Sequence, residues 1–379
     1  MELFNVYPLV NITPVKALGA TLWDEQGRDY LDFYGGHAVI SIGHAHPHYV
    51  QRLQAQLGQI SFYSNSVQIP IQAELARKLG QVSGYEDYSL FLSSSGAEAN
   101  ENALKLASFH TGKTRVVAFK GAFHGRTSGA VAVTDNPKIV APFNATHAVT
   151  FVDYDLRAVA QVLKGGDVCA VIIEPIQGVG GIIMPSDDFL AGLALVCGAH
   201  EVVLIADEVQ CGYGRSGRFF AHQHSGIRPD IITTAKGMGN GFPIGGTLIS
   251  PKFKASFGLL GTTFGGNHLA CAAGLAVLEV IEQENLVTHA AEMGDYLRAE
   301  LLAHGQAQEV RGRGLMVGLR YDFPIKELRD KLLSEHRIFV GNASDPNVLR
   351  LLPPLTITKA EIDQFLTALY SLIPISEPA

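Results

Sequence analysis

The sequence has few charged residues and no long apolar run, and each shortage excludes a class of protein. Asp, Glu, Lys and Arg make up only 17% of the 379 residues, whereas hydrophobic residues make up 47% and the mean hydropathy is +0.16. This composition excludes a disordered chain and predicts a large buried core. Acidic residues or histidines interrupt the apolar runs before they are long enough to span a bilayer, so we expect no membrane segment.

An excess of basic charge and a pattern of paired cysteines are also missing. The formal net charge is −7 and the pI is near 6.0, which gives no indication of a nucleic-acid or anionic-membrane partner. The four cysteines show no CxxC spacing, and we interpret them as buried free thiols of a reducing compartment. The stretch MELFNVYPLV at the start has no basic region of the kind that opens a signal peptide. We therefore expect a cytoplasmic enzyme.

Segments of strand and helix character alternate through the middle of the chain. Strands are predicted where apolar and β-branched residues run continuously, as in VCAVIIEPI, EVVLIADEV and DIITTAK. Helices are predicted between strands, as in GAEANENALKLASFHTG and DDFLAGLALVCGAH. Continuous apolar strands that alternate with helices indicate an α/β fold, with a mostly parallel central sheet covered by helices on both faces.

The two ends of the chain differ from this middle part. Short strand-like pieces come first, with a hairpin turn predicted at 24–27, and a helix opened by Pro47 follows. After Gly266, the sequence HLACAAGLAVLEVIEQENL predicts one long helix, and short strands and helices mix beyond it. We predict three parts: residues 1–49 as the N-terminal part of a smaller α+β domain, 50–262 as a large domain, and 263–379 as a linking helix and the C-terminal part of the smaller domain.

One stretch, DIITTAKGMGNG, has the features of a reactive-lysine site. Its predicted strand delivers Lys236 into a glycine-rich turn at the carboxyl end of a parallel sheet, where such sheets bind ligands. Burial there would lower the pKa of the Lys236 ammonium and leave an amine that can attack a carbonyl carbon. A solvated loop lysine explains this stretch, taken alone, equally well.

Acidic residues and a possible anion site also follow predicted strands. Asp207 ends the strand VVLIAD, and a buried carboxylate there needs a positive partner, either a protonated ring nitrogen of a cofactor or an arginine. Glu174 ends another strand. The residues from Ser94 to Ala97 lie between a strand and a helix, where free backbone N–H groups form an anion site or belong to an ordinary capped helix.

Two arginines and an aromatic residue complete the set. Phe123 offers a flat face for stacking on a ring, and Arg126 offers a guanidinium for a carboxylate. Arg350 lies in the apolar segment VLRLLPPLTIT, where an unpaired guanidinium would be costly. Together with an anion site, an acid for a ring nitrogen and a lysine at a strand end, these residues indicate pyridoxal phosphate chemistry.

Two other patterns have weaker support. GYGRSG, at residues 212–217, matches the GxGxxG fingerprint and raises a nicotinamide-dependent oxidoreductase as an alternative, but the residues after it make a poor helix. His44, His46 and His48 suggest a metal site, but Pro47 interrupts their spacing and no carboxylate is close in sequence. We therefore predict no metal.

These motifs resemble class III, or ω-type, aminotransferases of the fold type I group of pyridoxal-phosphate enzymes. The resemblance covers nearly the whole chain and is strongest in SSGAEANENALKLA, AFHGRT, EPIQGVGG, ADEVQCGYGRSG, TTAKGMGNGFPIG, TTFGGN and LRLLPPL. Within the family, the sequence is most similar to the members that act on acetylornithine or succinylornithine. The resemblance implies the fold of this group, with a large domain that binds pyridoxal 5'-phosphate and a smaller domain built from both chain ends.

The resemblance also implies a role for each matching residue. Lys236 is expected to form the Schiff base with the cofactor and to move a proton, and Asp207 to keep the pyridine nitrogen protonated. The other implied cofactor contacts are Gly96, Ala97, Phe123, Val209, Gln210 and, from the partner subunit of a homodimer, Thr263. The implied substrate contacts are Arg126, Thr262, Arg350 for the 2-oxoglutarate carboxylate, and Glu174 as the reversible partner of that arginine.

The implied activity is a ping-pong transamination. The terminal amino group of N-acetyl- or N-succinylornithine would move to 2-oxoglutarate and give the N-acyl-glutamate semialdehyde and glutamate, as in arginine biosynthesis. Ornithine or 4-aminobutyrate aminotransferase activity is the alternative within the family. Three residues depart from the family pattern: His268 stands where proline is usual, and Tyr34 and His37 stand where aliphatic or small residues are more usual. Tyr34 and His37 are candidates for lining the acyl pocket.

Overall fold

The computed structural model describes residues 1–373. Within them, the strands in chain order are β1 (Pro14–Leu18), β2 (Thr21–Asp24), β3 (Asp29–Asp32), β4 (Ser89–Ser93), β5 (Arg115–Phe119), β6 (Val149–Val152), β7 (Val168–Ile173), β8 (Val203–Asp207), β9 (Ile231–Thr234), β10 (Gly245–Ile249), β11 (Glu309–Arg313), β12 (Met316–Arg320), β13 (Ile338–Phe339), β14 (Gly341–Asn342) and β15 (Val348–Leu351). The α-helices are α1 (Gly35–Ala38), α2 (Pro47–Leu57), α3 (Pro70–Ser83), α4 (Gly96–Thr111), α5 (Ser128–Ala132), α6 (Leu156–Leu163), α7 (Asp187–Ala199), α8 (His268–Gln283), α9 (Leu286–His304), α10 (Lys326–Ser334) and α11 (Lys359–Leu372). No helix in this range is both long and apolar enough to cross a bilayer.

A seven-stranded sheet forms the centre of the molecule, in the order β4-β10-β9-β8-β7-β5-β6. β10 runs antiparallel to its two neighbours, and the remaining pairings are parallel. β7, β8 and β9 are buried along their whole length, which explains their unbroken apolar runs. This architecture confirms the predicted α/β fold class. The sequence pattern does not predict β10, because the two glycines that open it weaken the strand signal.

Two four-stranded sheets are built from the ends of the chain. β1, β2 and β3 form an antiparallel meander whose second turn follows Asp24, and β13 pairs in parallel with β3. The other sheet has the order β11-β12-β15-β14. A strand from the C-terminal part thus completes a sheet that the N-terminal part begins. This pairing supports the three-part division of the chain, whose boundaries remain a prediction.

A nearly fully buried helix, α8, connects the central and terminal regions. α2 and α3 pack against it, and eleven of its sixteen residues are buried. The sequence predicts one helix through Leu286, but α8 ends at Gln283 and α9 begins at Leu286. The break occurs because Asn285 has a left-handed backbone, with φ of +53°, while the apolar pattern continues across it.

Close packing of α9 on the turn before β12 gives a stability test. A Cβ atom added at Gly294 would overlap the backbone of Gly314, which cannot swing away as a side chain could. We expect Gly294→Ala to lower the free energy of unfolding by roughly 1–3 kcal/mol. Gly198→Ala near the end of α7 is the matched control, because its Cβ would meet nothing within 4 Å. Chemical denaturation measures both variants, and equal stability of the two would contradict the packing described here.

Candidate active site

The carboxyl ends of the parallel strands meet at one edge of the central sheet, where a cavity of about 420 Å³ opens. The loops that follow β4, β5, β7, β8 and β9 all contribute to its wall, as expected for an open α/β sheet. β10 runs in the opposite direction, so Ile244, the residue directly before it, lies at the same edge. The predicted site residues that line the cavity are Gly96, Ala97, Phe123, Arg126, Glu174, Asp207, Val209, Gln210 and Lys236.

Three predicted residues do not line this cavity. Arg350 lies buried on β15, and its Nη1 donates to Oε1 of the cavity residue Gln210 at 3.4 Å. Thr262 and Thr263 lie on the loop before α8, and Thr263 is exposed in the single chain. The substrate contact expected of Thr262 stays a prediction, as does the cofactor contact expected of Thr263 in an assembly of two chains.

The Asp207 carboxylate is buried and held by three donors. Asn100 Nδ2 and His124 Nδ1 each lie 2.7 Å from Oδ2, and the N–H of Val209 donates to Oδ1 at 3.0 Å. Thr233 on the neighbouring strand donates to Asn100 Oδ1 at 2.6 Å, which fixes the orientation of the amide. The carboxylate position is therefore set by α4, by the loop after β5 and by β9 together.

Asn100 and His124 are candidate functional residues that the sequence patterns do not identify. Both are buried and both line the cavity. A signal existed in each case: Asn100 is a polar residue on the buried face of a helix, and His124 lies between Phe123 and Arg126 in AFHGRT. Within the described residues, nothing hydrogen-bonds the buried Nε2 of His124. An unsatisfied buried nitrogen in the cavity wall fits a site that takes up a polar ligand.

Lys236 lies two residues after β9, at the start of a 3₁₀ turn, and its φ is +45°. This left-handed backbone is unfavourable for a lysine, so surrounding contacts must hold it. Ser41 provides one such contact, because its Oγ donates to the carbonyl oxygen of Gly237 at 2.7 Å. Burial lowers the pKa of Lys236, and the charges of Asp207 and Glu174 oppose this effect in part. A larger share of neutral amine makes Lys236 a better nucleophile.

The beginning of α4 can bind an anion. Gly96 and Ala97 are the first residues of this helix, so their N–H groups have no partner within it. Ser95 caps the helix by accepting a hydrogen bond from the N–H of Glu98 at 3.2 Å. A Cβ atom on Gly96 would lie only 2.6 Å from Val209 Cγ1, so a larger residue would crowd the wall at this point. Free N–H groups and the helix dipole together suit a phosphate.

The expected ion pair between Glu174 and Arg350 is not observed. The Glu174 oxygens accept hydrogen bonds from the backbone N–H groups of Phe123 at 2.9 Å and Gly178 at 3.1 Å. Arg350 donates instead to the carbonyl oxygen of Asn342 and to Gln210. Burial raises the pKa of Glu174 to about 7 and lowers the pKa of Arg350. Backbone donors thus hold the Glu174 carboxylate in this structure, and its reversible pairing with Arg350 during one half-reaction stays a prediction.

The GxGxxG match at residues 212–217 does not form a dinucleotide site. It is a run of turns, and no helix begins at its third glycine in the described chain. Arg215 within it is buried and donates to the backbone carbonyl oxygens of Leu315 and Pro353. The segment therefore connects the loop after β8 to the C-terminal sheet.

The three neighbouring histidines do not converge. Each hydrogen-bonds a different carboxylate: His44 with Asp32, His46 with Glu284 and His48 with Glu279. Among residues 1–373, no group of three histidine, cysteine or acidic residues could hold a metal ion.

The residues of this cavity fit pyridoxal 5'-phosphate. The free N–H groups at Gly96 and Ala97 suit its phosphate, and the fixed Asp207 carboxylate suits a protonated ring nitrogen. Phe123 and Val209 supply apolar wall for the ring, and Lys236 supplies an amine for its aldehyde. Each part of the cofactor thus has a suitable backbone or side-chain group in the cavity wall.

The comparison with protein families gives one match along almost the whole chain. The model of the class-III aminotransferases matches residues 5–373. The acetylornithine aminotransferase of Bacillus subtilis is 39% identical over 379 residues, which cover 98% of this chain and 97% of that protein. The acetylornithine aminotransferase of Methanosarcina mazei is 40% identical over 374 residues, which cover 97% and 93%.

Solved structures share the fold. The ornithine aminotransferase of Toxoplasma gondii superposes with a TM-score of 0.91 at 29% identity, covering 96% of this chain and 90% of that chain.

The His124–Asp207 contact predicts an effect on cofactor affinity. His124→Leu removes one donor from the buried carboxylate, and a hydrogen bond to a charged group is worth about 1.5–3 kcal/mol. We expect the dissociation constant for pyridoxal phosphate to rise about tenfold or more, as measured by absorbance titration of the apoprotein. His124→Asn keeps an N–H near the position of Nδ1 and is the matched control. Equal affinities of the two variants would contradict a role of the His124–Asp207 hydrogen bond in cofactor binding.

Burial of Glu174 predicts a pH dependence of stability. Its pKa rises from 4.5 to about 7 on folding, so between these values the folded state keeps a proton that the unfolded state releases. The free energy of unfolding should therefore fall as the pH rises through this range. Glu174→Gln should remove roughly 2 kcal/mol of that fall. Denaturation curves at pH 5, 6 and 7 measure it, and parallel pH dependences of wild type and variant would contradict the burial argument.

Proposed function

The chain belongs to the class-III aminotransferase family, and from this premise we propose that it transfers the terminal amino group of an N-acylornithine to 2-oxoglutarate. The observation that carries the proposal is the placement of Lys236 and Asp207 in one cavity, at the ends of neighbouring strands. The two relatives described above are both named acetylornithine aminotransferases, which supports an acylated amino donor. The ornithine aminotransferase structure is less similar in sequence and supports free ornithine less well.

Pyridoxal phosphate, the cofactor of this family, supplies a ring that accepts the electrons released when the carbon next to the donor nitrogen loses its proton. Asp207 holds a negative charge where a protonated ring nitrogen must stay protonated, and Asn100 and His124 keep that carboxylate in place. Gly96 and Ala97 bind the phosphate through backbone N–H groups.

Lys236 acts as the base of the reaction. Its amine would hold the cofactor through the aldehyde carbon, and once the donor amine had taken that position it would move a proton at the substrate carbon. Burial favours the neutral amine that this role requires, because it lowers the pKa of the lysine. The backbone strain at Lys236 fixes the start of the side chain at the cavity wall.

The two half-reactions use the same cavity in turn, and each substrate carries a carboxylate. Arg126 lines the cavity and forms no ion pair within the described residues. Arg350 is connected to the cavity through Gln210. We propose that Arg126 and Arg350 bind the substrate carboxylates, with Glu174 in a position to interact with Arg350 by charge across the site. The products are an N-acyl-glutamate semialdehyde and glutamate.

We also propose a cytoplasmic homodimer that serves arginine biosynthesis. The four cysteines are buried and free, which fits a reducing compartment. Large apolar side chains are exposed near the loop that carries Thr263, among them Phe264 at 62% and Phe257 at 111%. Such a surface suits a second copy of the chain, and Thr263 would then reach the neighbouring cavity.

An amino-donor panel tests the proposed function. We expect kcat/KM with N-acetylornithine or N-succinylornithine to exceed that with ornithine or 4-aminobutyrate by about tenfold or more, measured as glutamate formed from 2-oxoglutarate. Lys236→Ala is the control, since it should fold and bind pyridoxal phosphate but show no turnover. A higher kcat/KM with ornithine or 4-aminobutyrate would replace the N-acylornithine assignment with the corresponding alternative.

A further inference from the structure

Two residues beside the cavity, Tyr34 and His37, have no part in the mechanism above. Tyr34 directly precedes the single turn α1 (Gly35–Ala38) and His37 lies within it; all four residues of this turn have positive φ, from +54° to +69°, so the turn is left-handed. The turn brings the Tyr34 hydroxyl into hydrogen-bonding contact with Nδ1 of His37, and their ring centroids are 4.7 Å apart. Because a left-handed backbone is unfavourable at His37 and Ala38, the surrounding contacts must hold this geometry.

Gln210 and Gly341 connect the pair to Arg350. Gln210, which lines the cavity, donates from Nε2 to the carbonyl oxygen of His37 at 3.1 Å. The same amide accepts from Arg350 Nη1 at 3.4 Å. Gly341 pairs with Arg350 across two strands, and a Cβ atom on it would lie 2.6 Å from Cε2 of Tyr34. The Tyr34 ring therefore packs on the Gly341 backbone, and the pair is fixed at the Arg350 side of the cavity.

The surroundings of the pair are positively charged. Burial and the charges of Arg350 and Lys236 lower the pKa of His37, so its ring is neutral near pH 7. Asp32 on the same segment is taken up by two backbone N–H groups and by His44. A free ammonium group at this place would face the Arg350 guanidinium, whereas a neutral amide would not meet this repulsion.

The hydrogen bond between Tyr34 and His37 uses only one of the two donor groups of the pair, so the other can bind a ligand. If the Tyr34 hydroxyl donates to Nδ1, the neutral imidazole carries its proton on Nε2. If Nδ1 donates instead, the Tyr34 hydroxyl keeps its proton for another acceptor. In both arrangements the pair offers a neutral donor that suits a carbonyl oxygen.

We propose that the Tyr34–His37 pair selects the amino donor, because it hydrogen-bonds the carbonyl oxygen of the N-acyl group beside the Arg350 guanidinium, whose charge disfavours a free α-ammonium group there. The inference rests on the proposed function and specifies how that site distinguishes an acylated amino acid from a free one. Discrimination then has an attractive part and a repulsive part, which is how specificity against a close analogue is usually obtained.

Two substitutions test the pair. Tyr34→Phe removes only the hydroxyl. His37→Asn replaces the imidazole with a smaller side chain, and asparagine tolerates the left-handed backbone at this position. We expect each to lower kcat/KM for N-acetylornithine about three- to tenfold, the effect of one neutral hydrogen bond, and to change kcat/KM for ornithine less than about twofold. The half-reaction with 2-oxoglutarate, followed by absorbance in single turnovers, should stay within about twofold of wild type.

Binding of an unreactive ligand gives a readout independent of turnover. N-acetylnorvaline carries the acyl group and carboxylate but has no terminal amine, and calorimetry on the holoenzyme should show its affinity falling by the same factor in both variants. The matched control is His110→Asn. His110 is exposed at the far end of α4, fourteen residues from Gly96 and so about 21 Å along the helix. This variant should match wild type in both measurements.

The outcomes separate the pair from the proposed function. Equal losses with N-acetylornithine and ornithine would show that the pair only supports Arg350, and an unchanged donor ratio would show that it does not contact the donor. Either result overturns the inference while the enzyme's preference for acylated donors stands. A wild-type enzyme that ignores both N-acylornithines overturns the proposed function itself.

Discussion

A buried carboxylate needs hydrogen-bond donors in place of water, and the donors around Asp207 determine much of the structure of the site. The donors are Asn100 on a helix, His124 on a loop, and the backbone N–H of Val209, two residues after Asp207. Because Asn100 is fixed in turn by Thr233 on the next strand, the ends of β8 and β9 cannot shift independently. Lys236 follows β9, so the acid and the amine keep a constant relation.

Burial acts in the same direction on the other ionisable groups of the site. It lowers the pKa of Lys236 and Arg350 and raises that of Glu174, in each case disfavouring the charged form. Some neighbouring charges oppose this effect, such as those of Asp207 and Glu174 on Lys236, and others add to it, such as that of Arg350 on Lys236. The charge state of one group therefore depends on the others. Gln210 lies between them as a neutral amide, in contact with Arg350 on one side and the His37 carbonyl on the other.

The sequence predicted the fold class and nearly every cavity residue that directly follows a strand, because continuous apolar runs locate the strands and the topology brings their ends together. It predicted less where the decisive contact is three-dimensional. The roles of Asn100 and His124 depend on the Asp207 oxygen that they share, and that relation has no local pattern. The Glu174–Arg350 pair was expected from two separate motifs, but the nearest donors to Glu174 are backbone N–H groups, which no motif encodes. β10 was missed since its opening glycines resemble a turn.

The pairing of β13 with β3 has a consequence for the order in which the chain can fold. Ile338 pairs with Leu31, so the partner strand is synthesised about 300 residues later. At 5–20 residues per second, the meander at the N-terminal end waits roughly 15–60 s with one strand edge open. An open edge is a template for pairing with other chains. The edge of β3 therefore lacks its partner strand until translation is almost finished.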